Sequence, residues 1–204
     1  MKYEERVVVF LDILNFSSII KKSTDKKSKL KETQLINIFN SIYNTFNIRN
    51  IKHWDSTSKQ ATHFSDSIVI SYKANEIQEI IIAMIDIQHL ITTLATYNIL
   101  LRGAIAKGKL IHTEELLFGP GLIEAYELET QAAIYPRVVL EKELIKHLLL
   151  PELTTKTKNK LPFRLIDIIS KDQDGLFYIN YFFNVGLLLV SSSETYNNNF
   201  NYLK

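Results

Sequence analysis

The sequence contains no cysteine among its 204 residues, and only 6 glycines, 4 prolines and 1 tryptophan. Without cysteine, neither a disulfide framework nor a thiolate metal site can form. The chain also lacks an excess of either charge, since 24 basic and 22 acidic residues give a net charge of +2. A protein that binds nucleic acid by neutralising phosphates usually carries a basic excess, so we expect no nucleic-acid partner.

Long uninterrupted apolar runs are absent as well. The most apolar stretch, from Ile77 to Leu101, contains Gln, Glu, Asp and His side chains, which a membrane-spanning helix avoids. Near the amino end, the apolar run that follows Arg6 is short and meets Asp12, unlike the hydrophobic region of a signal peptide. These patterns predict a cytoplasmic protein without direct membrane contact.

Hydrophobic residues make up 46% of the chain, enough for one core, and we expect a single domain over residues 1–204. Hydrophobic periodicity predicts strands and helices in the order βααββαββαβαββ. The first strand covers Val7–Leu11, a long helix covers Glu76–Tyr97, and two closing strands cover Arg164–Ile169 and Leu176–Phe183. This order predicts an α+β fold with helices packed on one face of a mostly antiparallel sheet.

Two aspartates follow or precede predicted strands. Asp12 ends the first strand and Asp66 begins a later one, so neighbouring strands would bring both carboxylates to one edge of the sheet. Mg²⁺ is normally held by one or two carboxylates together with substrate phosphates, and phosphoryl chemistry often uses two such ions. Spacing alone leaves a second interpretation open, in which both aspartates are turn or capping residues.

The residues around these aspartates resemble class III nucleotidyl cyclases in four segments. The matching segments are VVFLDILNFS at Val8–Ser17, FSDS at Phe64–Ser67, LRGAIAKG at Leu101–Gly108 and FGPGLIEA at Phe118–Ala125. Each segment is weak alone, but their order and spacing together are fairly specific. The resemblance implies a ferredoxin-like core that converts a nucleoside triphosphate into a cyclic mononucleotide and pyrophosphate, with two Mg²⁺ or Mn²⁺ ions per active site.

The same resemblance implies roles for individual residues. Asp12 and Asp66 would bind the metal ions through their carboxylates, and Ile13 would bind through its backbone carbonyl. The backbone amides of the following loop would bind the substrate phosphates: Leu14, Asn15, Phe16 and Ser17.

Four positions depart from the purine cyclases of this family. Ile123 and Glu127 lie where purine cyclases carry an Asn and an Arg for the ribose and the transition-state phosphate. The base-reading Lys of those enzymes falls near Gln60, and its polar partner falls near Leu116. We therefore expect Gln60 and Leu116 to contact the substrate base in a pocket that is not built for purines.

The segment Ala133–Leu140, with its Tyr-Pro-Arg sequence, resembles the bacterial pyrimidine cyclases of the Pycsar antiphage system, as do the Asp174-Gly175 turn and the aromatic strand after it. The resemblance implies that the substrate is UTP or CTP, and we favour UTP. It also implies that cyclic UMP or cyclic CMP acts as a second messenger, which signals phage infection to a separate effector.

A cation is still needed to stabilise the transition state, because the usual Arg is missing. Arg137 and Arg102 are the candidates, since a guanidinium pairs bidentately with phosphate oxygens, and we favour Arg137. Arg102 has an alternative role as the partner of an acid at the edge of the core. The resemblance further implies a homodimer, in which Asp12 and Asp66 of one subunit face base-reading and cationic groups of the other.

Two other functions remain open. A catalytically silent cyclase-like module that binds nucleotide and regulates a partner would explain the lost Asn and Arg positions. Retention of both Asp12 and Asp66 argues against it, because two like charges repel each other unless a cation lies between them. The other alternative is an adenylate cyclase with an unusual base pocket.

Overall fold

The computed structural model describes residues 2–25, 32–46, 58–148 and 165–182. The elements follow the predicted order, with one additional short helix. They are β1 (Glu4–Ile13), α1 (Phe16–Thr24), α2 (Glu32–Thr45), β2 (Gln60–Phe64), β3 (Ser67–Lys73), α3 (Ile77–Thr96), β4 (Leu101–His112), β5 (Leu117–Phe118), α4 (Pro120–Ala132), β6 (Val138–Leu140), α5 (Lys142–Leu148), α6 (Leu165–Ile168), β7 (Ile169–Lys171) and β8 (Phe177–Ile179).

The strands form one sheet in the order β2-β3-β1-β4-β6-β8-β7, and β5 forms a hairpin with β4. All of these pairs are antiparallel except β4 with β6, which is parallel. The predicted α+β class with a mostly antiparallel sheet is confirmed. β1 and β4 lie at the centre of the sheet, so residues at their ends are flanked by strands on both sides.

Side chains of β1 alternate between two buried layers. Val7, Val9 and Leu11 join the larger core, to which α2, α3 and α5 contribute. Val8 and Phe10 point to the opposite face, where they join a smaller cluster with Ala125 of α4. Burial on both faces explains why the β1 sequence is almost continuously apolar. It also corrects one expectation, because α4 lies on the face opposite to the other helices.

Helix α3 is long and apolar enough to cross a bilayer by length and composition, and it is the one described helix with that property. In the structure it packs on the sheet and the neighbouring helix, with ten buried residues from Ile77 to Leu94. The apolar residues of α3 therefore form part of the larger core of the domain.

The predicted strand over Arg164–Ile169 is wrong for most of its length. The described part forms the one-turn helix α6, and strand structure begins only at Ile169. Ile168 packs in the larger core together with residues of α3. A short apolar run has no periodicity that separates a strand from a buried helical turn, so packing decides between them.

Candidate functional site

The fold brings Asp12 and Asp66 to one edge of the sheet. Asp12, near the end of β1, pairs across the sheet with Ser67 of β3 on one side and with Arg102 of β4 on the other. Asp66 lies in the tight turn between β2 and β3, where Ser65 has a positive φ of 57°. The backbone amide of Ile13 donates to the carbonyl oxygen of Asp66 at 3.0 Å, which fastens the two aspartate segments together.

The charges around Asp12 are only partly balanced. Burial and the neighbouring carboxylate of Asp66 raise the pKa of Asp12, whereas Arg102 and the hydroxyl of Ser67 lower it by a smaller amount. Ser67 Oγ lies 3.4 Å from Asp12 Oδ1, and Arg102 Nε lies 3.5 Å from Asp12 Oδ2. Two neighbouring carboxylates, one of which has a raised pKa because of the other, form a place where a cation is stabilised.

Helix α1 begins next to these carboxylates. Asn15 precedes the helix in the left-handed conformation with φ 60°, and the amide of Leu14 donates to Leu100 O at 2.9 Å. The first hydrogen bond within the helix is made by the amide of Ser18 to Asn15 O at 3.1 Å. The amides of Phe16 and Ser17 therefore precede the hydrogen-bonded turns, at the end of a helix where anions such as phosphate are favoured.

The donor set fits Mg²⁺ or Mn²⁺ only in part. In the described ranges, no group of three or more Asp, Glu or His side chains lies close enough to hold a metal ion unaided. Asp12 and Asp66 supply hard carboxylate oxygens, which these ions prefer, and a bound triphosphate would have to supply the remaining ligands. The residues present are therefore compatible with metal that binds together with a phosphate substrate.

Arg102 is held between two carboxylates. Its Nε lies 2.5 Å from Glu129 Oε1, closer than it lies to Asp12. Glu129 comes from α4 and is only 2% exposed, and this burial raises the pKa of its carboxyl group although Arg102 opposes the shift. Glu129 is therefore the acid at the edge of the core with which Arg102 would pair in its alternative role.

Sequence reasoning missed Glu129, although a signal was present. The buried residues of α4 are Gly121, Ala125 and Glu129, which recur at intervals of four and so lie on one face of the helix. A glutamate that continues a stripe of small buried residues needs a cationic partner, because a lone buried charge is costly. That pattern identifies Glu129 as a residue to pair with a nearby Arg.

Arg137 is engaged elsewhere. Its side chain forms ion pairs with Asp172 and Asp174 in the turn between β7 and β8, and it donates to Ala132 O at 3.0 Å. The Arg137 residue is 5% exposed, and each of its terminal nitrogens already has a carboxylate partner, although the side chains of Asp172 and Asp174 are themselves 39% and 43% exposed. These contacts clamp the β7–β8 hairpin to the start of β6. A catalytic role for Arg137 stays a prediction, and it would require some of these pairs to open.

The two predicted base contacts lie away from the carboxylate pair within one chain. Gln60 pairs with Ser71, whereas Asp12 pairs with Ser67, so four residues along β3 separate their positions. Leu116 is 42% exposed in the turn between β4 and β5, where Leu116 O accepts the amide of Thr113. A contribution of Gln60 and Leu116 to the base pocket stays a prediction.

The fold is that of solved class III nucleotidyl cyclase domains, at low sequence identity. The adenylyl cyclase CyaB from P. aeruginosa superposes with a TM-score of 0.56 and 12% identity, over 87% of this chain and 94% of that chain. The guanylyl cyclase domain of the RhoGC fusion protein from the aquatic fungus Blastocladiella emersonii gives 0.55 and 15%, over 88% and 96%. The catalytic core of a rhodopsin-guanylyl cyclase with converted specificity, solved with ATPalphaS, gives 0.52 and 16%, over 88% and 97%. The sequence itself matches no protein-family model and no curated protein.

Proposed function

We propose that this chain is a nucleotidyl cyclase, which converts a nucleoside triphosphate into a cyclic mononucleotide and pyrophosphate. The observation that carries the proposal is the meeting of Asp12 and Asp66 at one sheet edge, beside the amino end of α1. The carboxylates suit divalent cations, and the helix end suits phosphates. The similarity of the fold to adenylyl and guanylyl cyclase domains supports the same activity.

In this proposal, two Mg²⁺ or Mn²⁺ ions would be held by Asp12, Asp66 and the backbone carbonyl of Ile13. When bound, such ions neutralise phosphate charge and lower the pKa of the attacking hydroxyl. The amides of Phe16 and Ser17 orient the phosphates, and Ser67 fixes the Asp12 carboxylate by its hydrogen bond. The contact with Asp12 supports Arg102 as the cation near the reacting phosphate. Arg137, which the sequence favours for that role, would first have to open its ion pairs with Asp172 and Asp174.

We further propose a pyrimidine substrate, with UTP favoured over CTP. The proposal is supported by the loss of the purine-cyclase Asn and Arg at Ile123 and Glu127, both of which are exposed on α4. The apolar side chain of Leu116 also offers no hydrogen bond to a purine. By the resemblance to Pycsar cyclases, the product would be a cytoplasmic second messenger in antiphage defence, read by a separate effector.

The experiment that tests the activity is an incubation of the purified protein with equimolar ATP, GTP, CTP and UTP and with Mn²⁺ or Mg²⁺. Cyclic UMP as the main product is the expected result, and cyclic CMP would contradict only the choice between pyrimidines. Cyclic AMP or cyclic GMP as the main product would contradict the pyrimidine proposal. No cyclic product with any triphosphate would favour a silent nucleotide-binding module, the function that the exposed Ile123 and Glu127 also allow.

The metal assignment is tested by Asp12→Asn and Asp66→Asn. Each change keeps the shape of the side chain but removes the charge, so turnover should fall by at least about a hundredfold while the melting temperature stays near that of the wild type. Glu143→Gln on the exposed face of α5 is a matched control that should keep full activity. An asparagine variant with near-normal turnover would show that two-metal binding is wrongly assigned.

A further inference from the structure

The ring of His63 connects strand β2 with helices α1 and α2 on the face of the sheet that carries the larger core. His63 pairs with Ile68 of that core, and its ring centroid lies 5.5 Å from that of Tyr43 and 5.3 Å from that of Phe39, both on α2. The ring of Phe39 in turn lies 6.0 Å from that of Phe16, the first residue of α1. We call the four aromatic side chains Phe16, Phe39, Tyr43 and His63 the aromatic cluster.

The aromatic cluster joins two parts of the candidate site. At one end, the amide of Phe16 precedes the hydrogen-bonded turns of α1, where phosphate is favoured. At the other end, His63 lies three residues before Asp66, in the strand that enters the β2–β3 turn. A shift of the cluster would therefore change the separation between the phosphate-binding amides and the Asp66 carboxylate.

The two ring nitrogens of His63 have different surroundings. Nδ1 lies 2.9 Å from the hydroxyl of Tyr43, whereas Nε2 is buried and makes no hydrogen bond of good geometry within the described part of the chain. The backbone of Ser65 nevertheless favours the protonated ring and so raises the pKa of His63, which only a carbonyl oxygen can do, because a backbone amide is a donor. Since Tyr43 occupies Nδ1, the Ser65 carbonyl is the group that Nε2 faces.

The charge of the ring fixes the direction of these contacts. Burial lowers the pKa of His63 below its ordinary 6.5, although the Ser65 backbone and the charge of Asp66 oppose the shift, so the ring is neutral at pH 7. A neutral imidazole carries one proton, and the carbonyl that faces Nε2 favours the tautomer with the proton on that nitrogen. Nδ1 then accepts the hydroxyl proton of Tyr43, and Nε2 is the donor toward the turn.

The turn that His63 faces has a strained backbone. Ser65 adopts a positive φ of 57°, in the left-handed region that residues other than glycine rarely adopt. Such a conformation persists only where surrounding contacts hold it. The next residue is Asp66, so a contact that holds Ser65 also orients the Asp66 carboxylate.

We propose that His63 is a positioning residue, whose Nε2–H donates to the carbonyl oxygen of Ser65 in a hydrogen bond that tightens when Asp66 binds a metal ion. Tyr43 orients the ring by donating to Nδ1, so that helix α2, which contacts no substrate in the proposed function, sets the position of the Asp66 turn. The inference rests on the proposed cyclase function and adds a residue outside its metal ligands and phosphate-binding amides.

The test uses Mn²⁺ and inorganic tripolyphosphate as probes, so that the identity of the base does not enter. Bound Mn²⁺ is measured by electron paramagnetic resonance. His63→Gln keeps an N–H group near the position of Nε2, His63→Asn keeps a polar group near Nδ1 alone, and His63→Phe keeps a ring without either nitrogen. Mn²⁺ should bind about tenfold more weakly to His63→Asn and His63→Phe than to the wild type, whereas His63→Gln should stay within about threefold of it. His89→Phe, at an exposed position of α3, is a control that should bind Mn²⁺ as the wild type does.

Mn²⁺ affinity in His63→Phe equal to that of the wild type would overturn the proposal. Should the phenylalanine variant fail to fold, equal affinities of His63→Gln and His63→Asn would do the same. Hydrogen exchange over residues 62–67, measured by mass spectrometry, separates this proposal from the cyclase function. If the wild type binds no Mn²⁺, the proposed metal site fails, and faster exchange in His63→Phe than in His63→Gln still supports the contact with Ser65, whereas equal exchange overturns it.

Discussion

The guanidinium of Arg102 lies between the carboxylates of Glu129 and Asp12, which are buried to different extents. Glu129 is almost fully enclosed under α4 and lies closer to the guanidinium, whereas Asp12 is more accessible and faces Asp66. A buried acid that has a partner is tolerated, but the same acid without one is strongly destabilising. Glu129 therefore draws Arg102 toward the core, and this leaves the Asp12 carboxylate more available to a metal ion.

Changing Glu129 to Gln should weaken metal use without removing catalysis. Arg102 would lose its buried partner and move fully onto Asp12, where it would compete with the divalent cation. We expect the Mg²⁺ concentration for half-maximal turnover to rise by roughly tenfold, with turnover restored at saturating metal. Glu127→Gln, two residues earlier on the exposed face of α4, is the matched control, and an equal shift in both variants would contradict this role for Glu129.

His112 should make the stability of the fold depend on pH. Its pKa is lowered from the usual 6.5 to about 4, so below pH 6.5 the unfolded chain binds a proton that the folded chain excludes. Stability should therefore fall as pH drops from 6.5 to 4, by at most about 3 kcal/mol from this residue. Denaturant titrations at pH 6.5 and pH 4 measure this fall in the free energy of unfolding. The fall should be smaller in His112→Gln than in the wild type, whereas His89→Gln, a control at an exposed position, should fall as much as the wild type. An identical fall in the wild type and His112→Gln would show that the ring is not held neutral.

At the scale of elements, α4 reaches the sheet only because two glycines meet. A Cβ atom added to Gly108 of β4 would lie 2.7 Å from the Cα of Gly121 in the first turn of α4. Side chains do not pack at such a distance, so the backbones themselves form this contact. The position of α4, and with it the placement of Glu129 against Arg102, depends on this approach.

Gly108→Ala should push α4 away from the sheet. We expect a loss of about 1–3 kcal/mol in the free energy of unfolding, together with reduced turnover because Glu129 is displaced. Lys107→Ala, at the adjacent and partly exposed position, should be close to neutral. The comparison is made by urea denaturation of the two variants and the wild type, and equal midpoints would mean that the helix can shift without cost.

At the scale of the whole molecule, the face that carries the candidate site presents exposed apolar side chains. Ile123 and Tyr126 on α4 are 58% and 53% exposed. Apolar side chains grouped on one surface favour association. We propose that a second copy of the chain covers them, and that the two-fold axis generates two sites.

Ile123→Arg should therefore give a monomer with little or no cyclase activity. Ile36→Arg is a well-matched control, because Ile36 is 57% exposed but lies on α2, which packs on the opposite face of the sheet. Sedimentation velocity gives the oligomeric state of both variants, and cyclase activity is measured on the same samples. Ile36→Arg should remain a dimer with cyclase activity. A wild-type protein that sediments as an active monomer would exclude the dimeric site.

The sequence by itself determined the order of the elements apart from α6, and it placed Asp12 and Asp66 at strand ends, because periodicity and turn residues are local properties. The two aspartates meet only because β1 and β3 are neighbours in the sheet, which is a tertiary contact. The tertiary structure decided which face α4 covers, the partners of Arg137 and the burial of Glu129. It also decided the hydrogen bonds of Arg6 with Ser71, of Ser71 with His112 and of His112 with Thr62, whose partners lie 65, 41 and 50 positions apart. Such contacts depend on sheet register and helix packing, so no local pattern in the sequence specifies them.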